Sequence, residues 1–124
     1  MGRKRIKFLV VDDDPDLCDL IEEELNDEGF SVVKANSGNE AIKLLMNTKV
    51  DVVLSDIKMP NGTGIDLVKN IVTHYESPPV LVLMTGFSDI TENELMEIGV
   101  TRLYNKPIEI SYLINDILGI LKAA

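Results

Sequence analysis

The sequence predicts an α/β fold in which a parallel sheet of five strands is wound with helices on both faces, and three observations predict it. Strand-like apolar runs alternate with amphipathic helical segments along the whole chain. The runs, such as "FLVV" and "VLVLM", are apolar at every position rather than at every second one, so both faces of the sheet must be covered. Finally, 124 residues with 45% hydrophobic content suit one domain with a real core and leave too little chain for a second.

The elements follow in order. Ile6–Val11, "IKFLVV", reads as a buried strand ended by acids. Asp14 and Pro15 form an N-cap and first-turn pair, after which Leu17, Leu20, Ile21 and Leu25 recur at helical spacing until Gly29 stops the run. The single cysteine, Cys18, falls in the same pattern and reads as packing; it allows no internal disulfide, which suits a reducing cytoplasm. Phe30–Ala35 is a second strand, and Ser37 with Glu40 has the S-x-x-E form of a capping box opening a helix through Ala41, Ile42, Leu44 and Leu45. Val50–Ser55 is the third strand.

From Gly64 to about residue 76, Ile65, Leu67, Val68, Ile71 and Val72 make a third amphipathic helix that Ser77-Pro78-Pro79 ends. Val80–Met84 is the fourth strand. A polar helix around Ile90–Ile98 has a thin apolar face of Ile90, Leu95, Met96 and Ile98, so the surface it forms is expected to be short or mobile. Thr101–Tyr104, "TRLY", is the fifth strand, and a last helix over Ile110–Lys122 buries Leu113, Ile114, Ile117, Leu118 and Leu121. No repeat, low-complexity segment or interdomain linker interrupts the alternation.

Charge and patterning exclude several classes. Lys+Arg of 12 against Asp+Glu of 21 gives a net charge of -9, which argues against a nucleic-acid or anionic-membrane binder. The basic cluster "RKRIK", Arg3 to Lys7, abuts a strand and reads as its solvated start. The run "FLVV" is cut off by "DDDPD" before it reaches the length of a signal sequence, and no run approaches a membrane span. His74 has neither a second histidine nor a carboxylate at metal spacing.

In doubly wound sheets ligands bind at the carboxyl ends of the strands. Those ends carry Asp12, Asp13 and Asp14, then Asp56, then Thr85, then Lys106. Each has a bland reading alone: Asp14 caps a helix, Thr85 starts a loop, Lys106 is a surface lysine. Their joint placement is what informs. Carboxylates gathered in one cleft repel, and a divalent cation neutralises them; Mg2+ prefers a few hard oxygens plus waters and a phosphate, so one or two of Asp12 and Asp13 with Asp56 would suffice. A carboxylate is also a nucleophile toward phosphorus. Lys106 offers a point charge and Thr85 a hydroxyl to phosphoryl oxygens, and the backbone near Gly62 has room to turn a polar group inward.

Through "FLVVDDDP", "LSDIKMPNGTGIDL", "LMTGFSD" and "YNKP" the chain resembles the receiver domains of bacterial two-component response regulators, the stand-alone chemotaxis type included, over essentially its whole length. The resemblance implies a flavodoxin-like (βα)5 sandwich with strand order 2-1-3-4-5, and residues 1–124 as a single receiver domain with no output domain. It implies Asp56 as phosphoacceptor, and Mg2+ held by Asp12, Asp13, Asp56 and the backbone carbonyl of Lys58. Thr85 and Lys106 would bind the phosphoryl group, and the peptide Lys106-Pro107 would be cis.

The implied function is cytoplasmic phosphorelay signalling. The phosphoryl group would come from a sensor histidine kinase, a phosphotransfer protein or a small phosphodonor. Thr85 and Tyr104 would move inward, and the face of helix four, strand five and helix five would change shape for a downstream target, a fused output domain or a second copy of the chain. The chain would not be a turnover enzyme, although self-phosphorylation from phosphohistidine and self-dephosphorylation, both with Mg2+, are expected. Lys58 and Phe87 flank the phosphate in this scheme, and their bulk is expected to slow the attack of water. A phosphate-independent interaction module on the same scaffold is the main alternative, but it would have lost an acid, the hydroxyl or the lysine. An aspartyl-nucleophile phosphatase would place its nucleophile after the first strand and need more chain. A flavin mononucleotide carrier would need a phosphate-binding loop where this chain has acids.

Overall fold

The computed structural model describes residues 5–86 and 91–123. The elements alternate as β1 (Lys7–Val11), α1 (Pro15–Asp27), β2 (Ser31–Ala35), α2 (Gly38–Asn47), β3 (Val52–Asp56), α3 (Gly64–His74), β4 (Val80–Thr85), α4 (Glu92–Glu97), β5 (Arg102–Asn105) and α5 (Ile110–Ala123). The strands form one sheet in the order β2-β1-β3-β4-β5, and all four pairings are parallel. The flavodoxin-like architecture and its strand order are as expected from the sequence.

Because side chains alternate along a strand, each apolar run serves two cores. Phe8, Val10, Val52, Leu54, Val82 and Met84 pack with Cys18, Ile21, Leu25, Leu113, Ile114 and Ile117 of α1 and α5. Leu9, Val11, Val53, Leu81 and Leu83 pack on the other face with residues of α2, α3 and α4, among them Ala41, Leu67, Ile71 and Leu95. These packed side chains supply most of the stability of such a sandwich.

Helix starts are set by local chemistry. Asp14 accepts from the backbone of Asp16 and Leu17 at the start of α1, as its place before Pro15 suggested. At α2, Ser37 accepts from Glu40 N, while the Glu40 carboxylate reaches back one residue further than a standard box, to Asn36 N at 2.6 Å. The reciprocal capping box is instead at α3, between Thr63 and Asp66.

Some boundaries differ from the sequence reading. Asp56 and Thr85 are the last residues of their strands rather than the first of their loops, since their backbones still pair with neighbours. Leu20 is 54% exposed: Leu17, Ile21 and Leu25 already face the sheet, and Leu20 sits a quarter-turn off that line. Helix α4 spans Glu92–Glu97 with Leu95 buried, and Ile90 lies outside the described residues. Among the described residues no helix is long and apolar enough to cross a membrane.

Candidate functional site: an acidic cleft at the carboxyl edge of the sheet

The alternation that builds the two cores also aims the polar residues. Counting on from Val10 and Leu54 puts Asp12 and Asp56 on the α1/α5 face. The register carries them side by side, because Val11 stands opposite Ser55 one step earlier. Lys106 follows the same count beyond Tyr104, and its backbone N–H donates to Thr85 O at 2.8 Å, extending the β4–β5 ladder. Its ammonium then donates to Asp12 Oδ2 at 3.0 Å and Asp56 Oδ2 at 3.2 Å. Residues 94 and 50 positions away in sequence are thus tied by one cation.

Asp12 is almost fully buried, Asp56 is 9% exposed and Asp13 stands at the surface. One carboxylate oxygen from each lies within 4.8 Å of the others. The donor set, hard anionic oxygens with an open side toward solvent, fits Mg2+. Burial raises the pKa of Asp56; the bond and charge of Lys106 oppose this, and the neighbouring Asp12 adds to it. Burial works against the Lys106 ammonium, yet the bonds and charges of Asp12 and Asp56 outweigh it and hold the lysine protonated. The acids therefore repel each other with one cation between them, an arrangement that a further cation would relieve.

The loop after Asp56 is held tightly. Gly64 N donates to Ile57 O at 2.9 Å, and a Cβ at Gly64 would sit 2.2 Å from Asp56 O, so only glycine admits this return of the chain. Asn61 and Gly62 both have positive φ, 61° and 108°. The carbonyls of Asn61 and Gly62 turn toward α2: Gly62 O accepts from Gly38 N at 3.0 Å and Asn61 O from Asn39 N at 3.1 Å. Two of the free N–H groups at the start of α2 are satisfied in this way. A long-range contact between glycines leaves no local signal in the sequence.

Thr85 is 6% exposed and lines a cleft of about 270 Å³ with Asp56, Lys58, Gly86 and Lys106. Lys58 is exposed at its rim, and Phe87 lies outside the described residues. The Lys106-Pro107 peptide is cis.

Among the described residues, the Tyr104 side chain is not brought to Thr85. Met84 stands opposite Tyr104, and both pack toward α1 and α5; Leu83 stands opposite Leu103, and both pack on the other face, the one to which Thr85 belongs by count. The Tyr104 hydroxyl donates to Asp116 Oδ2 on α5, and its ring meets Tyr112 edge-on with centroids 6.1 Å apart. By count Leu103 and Asn105, the latter directly opposite Thr85, are the β5 residues on that face, and Leu103 is the one packed against its core. The signal was present in the sequence as a count along the strand, but not as hydrophobicity, because Leu103 and Tyr104 are adjacent and both bulky and apolar or aromatic.

Residues 8–118 match the response regulator receiver domain. The chain belongs to the response regulator receiver family. This receiver is 34% identical over 116 residues to the transcriptional regulatory protein CpxR of Klebsiella pneumoniae, a match covering 94% of the chain and 49% of CpxR. The receiver thus spans about half the length of that relative. Its fold superposes on the chemotaxis response regulator CheY4 of Vibrio cholerae with a TM-score of 0.84 at 27% identity, covering 94% of this chain and 99% of the other. The response regulator TrrA of Thermotoga maritima, whose structure is a complex with Mg(2+)-BeF, gives a TM-score of 0.81 at 27% identity over 92% of this receiver and 97% of TrrA. The family supports a phosphoacceptor signalling role for this domain.

Proposed function

We propose that the chain takes a phosphoryl group onto Asp56 and uses the modified state as a signal. The observation that carries this reading is the bridge of Lys106 to Asp12 and Asp56, with Asp13 beside them, at the end of a receiver sheet. The Asp56 carboxylate attacks the phosphorus of a phosphohistidine or acyl phosphate. An O–P bond forms as the P–N or P–O bond of the donor breaks, and the leaving group departs with the electron pair.

Asp12, Asp13, Asp56 and the backbone carbonyl of Lys58 are the groups that would hold Mg2+. When bound, the ion supplies charge neutralisation for the incoming phosphoryl oxygens. The protein groups do the rest. Lys106, freed from part of its pairing as Asp56 loses its charge to the new bond, follows the phosphoryl oxygens, and Thr85 donates its hydroxyl from the other side of the cleft. Lys58 at the rim limits the approach of water, so self-dephosphorylation is slow to moderate.

The donor is a sensor histidine kinase or phosphotransfer protein in the cytoplasm, and the recipient of the signal is a target protein, an attached output domain or a second phosphorylated copy. The phosphoryl group adds about -1.5 to -2 of charge and three acceptor oxygens, enough to shift a two-state surface. The test is intact-mass spectrometry after incubation with Mg2+ and acetyl phosphate. One added phosphoryl group that requires Mg2+ and is absent in Asp56→Asn supports the reading. An unmodified, folded protein favours a phosphate-independent interaction module instead.

A further inference from the structure

We infer that Asn36 is a positioning residue for the divalent cation: its side-chain amide fixes the peptide between Asp12 and Asp13, and through it the place of the Asp13 carboxylate. The inference rests on Asp12, Asp13 and Asp56 being the groups that take Mg2+, and it adds how a loop without a ligand sets their geometry.

The three acids are not held alike. Asp12 is fixed by its own side chain, since Oδ1 accepts from Asp14 N at 3.0 Å and Oδ2 from the Lys106 ammonium. Asp56 ends a buried strand and meets the same lysine. Asp13 is exposed, and among the described residues no hydrogen bond or ion pair holds its carboxylate. Its place is therefore inherited from the backbone, and the nearest fixed point of that backbone is the carbonyl of Asp12. Asn36 Nδ2 donates to Asp12 O at 3.0 Å, and the Cys18 thiol donates to the same oxygen at 3.5 Å. Both acceptor sites of that carbonyl are thus engaged.

The Asn36 side chain completes a ladder that the backbone leaves. Asp12 N still donates to Ala35 O at 3.1 Å, so β1 and β2 are paired up to that point. The bond from Ser31 N to Ile6 O sets an offset that makes Ser37 N the next donor in line for Asp12 O. Ser37, however, is the N-cap where the chain turns into α2, and Asn36 supplies a side-chain amide instead. Because Ala35 turns its carbonyl toward β1, the N–H of Asn36 points off the edge of the sheet, where Glu40 Oε1 accepts it at 2.6 Å. The long reach of Glu40 thereby secures the residue that holds Asp12 O. The same turn donates Gly38 N and Asn39 N to the loop after Asp56. Residues 36–40 offer no ligand of their own, yet they brace both segments that do.

The test uses the full chain, isotope-labelled, with Mg2+ alone and no phosphodonor, and reads affinity from the amide resonances of Asp13 and Asp56. Asn36→Ala exchanges a neutral residue for a neutral one at an exposed position. It is expected to weaken Mg2+ binding about tenfold, the lower end for groups that orient a metal ligand. Before metal is added, its Asp13 amide shows the relaxation of a mobile residue, while the amides of Leu9 and Val53 keep theirs. Glu40→Ala weakens binding in the same direction, and Glu40→Gln, which keeps an acceptor for Asn36 N, binds as the wild type does. In an Asp13→Asn background Asn36→Ala changes the affinity by less than about twofold, because the carboxylate it would place is gone. Unchanged Mg2+ affinity in Asn36→Ala, or an equal loss with and without the Asp13 carboxylate, would overturn the inference. A wild type whose Asp13 and Asp56 amides do not respond to Mg2+ would instead remove the metal reading, and the inference with it.

Discussion

The β1–β3 half of the receiver and its β4–β5 half share one sheet but are covered very differently. β1 and β3 are buried almost throughout, under α1 with thirteen residues and α3 with eleven. At the other end β5 is half-exposed along its length and ends in an exposed Asn105, and α4 contributes six residues and Leu95. The acids sit on the first half, where nothing need move for them to hold their spacing. Thr85, Leu103 and Lys106 belong to the second; Thr85 ends the buried β4, while Leu103 and Lys106 lie on and just beyond the half-exposed β5, where a displacement costs less packing. Fixed charges suit chemistry and loose packing suits a response, and the fold places the two side by side.

The largest effect should appear in native-state hydrogen exchange. Amides of β1 and β3, such as Leu9 and Val53, are expected to exchange only through global unfolding, and those of α4 and β5, such as Leu95 and Leu103, on the order of a hundredfold faster through local opening. Equal protection would break the comparison. Truncation should follow the same division. Leu54→Ala, fully buried on β3, is expected to cost about 3 kcal/mol in urea unfolding, and half-buried Leu103→Ala about 1 kcal/mol.

Lys106 joins the halves. Lys106→Ala is expected to slow phosphorylation by acetyl phosphate about a hundredfold, as loss of a charged donor at a phosphoryl group does, with far-ultraviolet circular dichroism unchanged. A rate within threefold of the wild type, by the order of such effects, would remove the lysine from the chemistry.

The smallest effect concerns the repelling acids. Because burial raises the Asp56 pKa in the folded state, its ionised form is less favourable folded than unfolded. That cost is present above the raised pKa, shrinks as the pH falls through it and is gone below the ordinary carboxylate range. Asp56→Asn should therefore raise the melting temperature of the metal-free protein by a few degrees at neutral pH, with the gain fading in acid. Saturating Mg2+ should reverse the order by stabilising the wild type more, and calorimetry across pH with and without the ion reads both.

The sequence made the chemistry more legible than the response. Asp12, Asp13, Asp56 and Thr85 could be placed because they follow apolar runs, and Lys106 because it follows the fifth strand; the carboxyl edge of a parallel sheet gathers such residues. Element order followed from continuous apolar strands and from caps such as Asp14. What failed was facing. In β5 the adjacent Leu103 and Tyr104 carry no in-and-out pattern, so the resemblance could couple Tyr104 to Thr85 although its side chain packs on the other face. Leu20 failed for the related reason that a leucine near a helical stripe looks like part of it. The Gly38–Gly62 contact joins segments that no local rule connects.

The most direct test of the account is to find where the phosphoryl group goes. Protein incubated with Mg2+ and acetyl phosphate is reduced with borohydride, which converts an aspartyl phosphate to homoserine, and the digest is sequenced by tandem mass spectrometry. Homoserine at position 56 alone, dependent on Mg2+, is the predicted result. Reduction at Asp12, Asp13 or another carboxylate, or no homoserine from a folded sample, would contradict it.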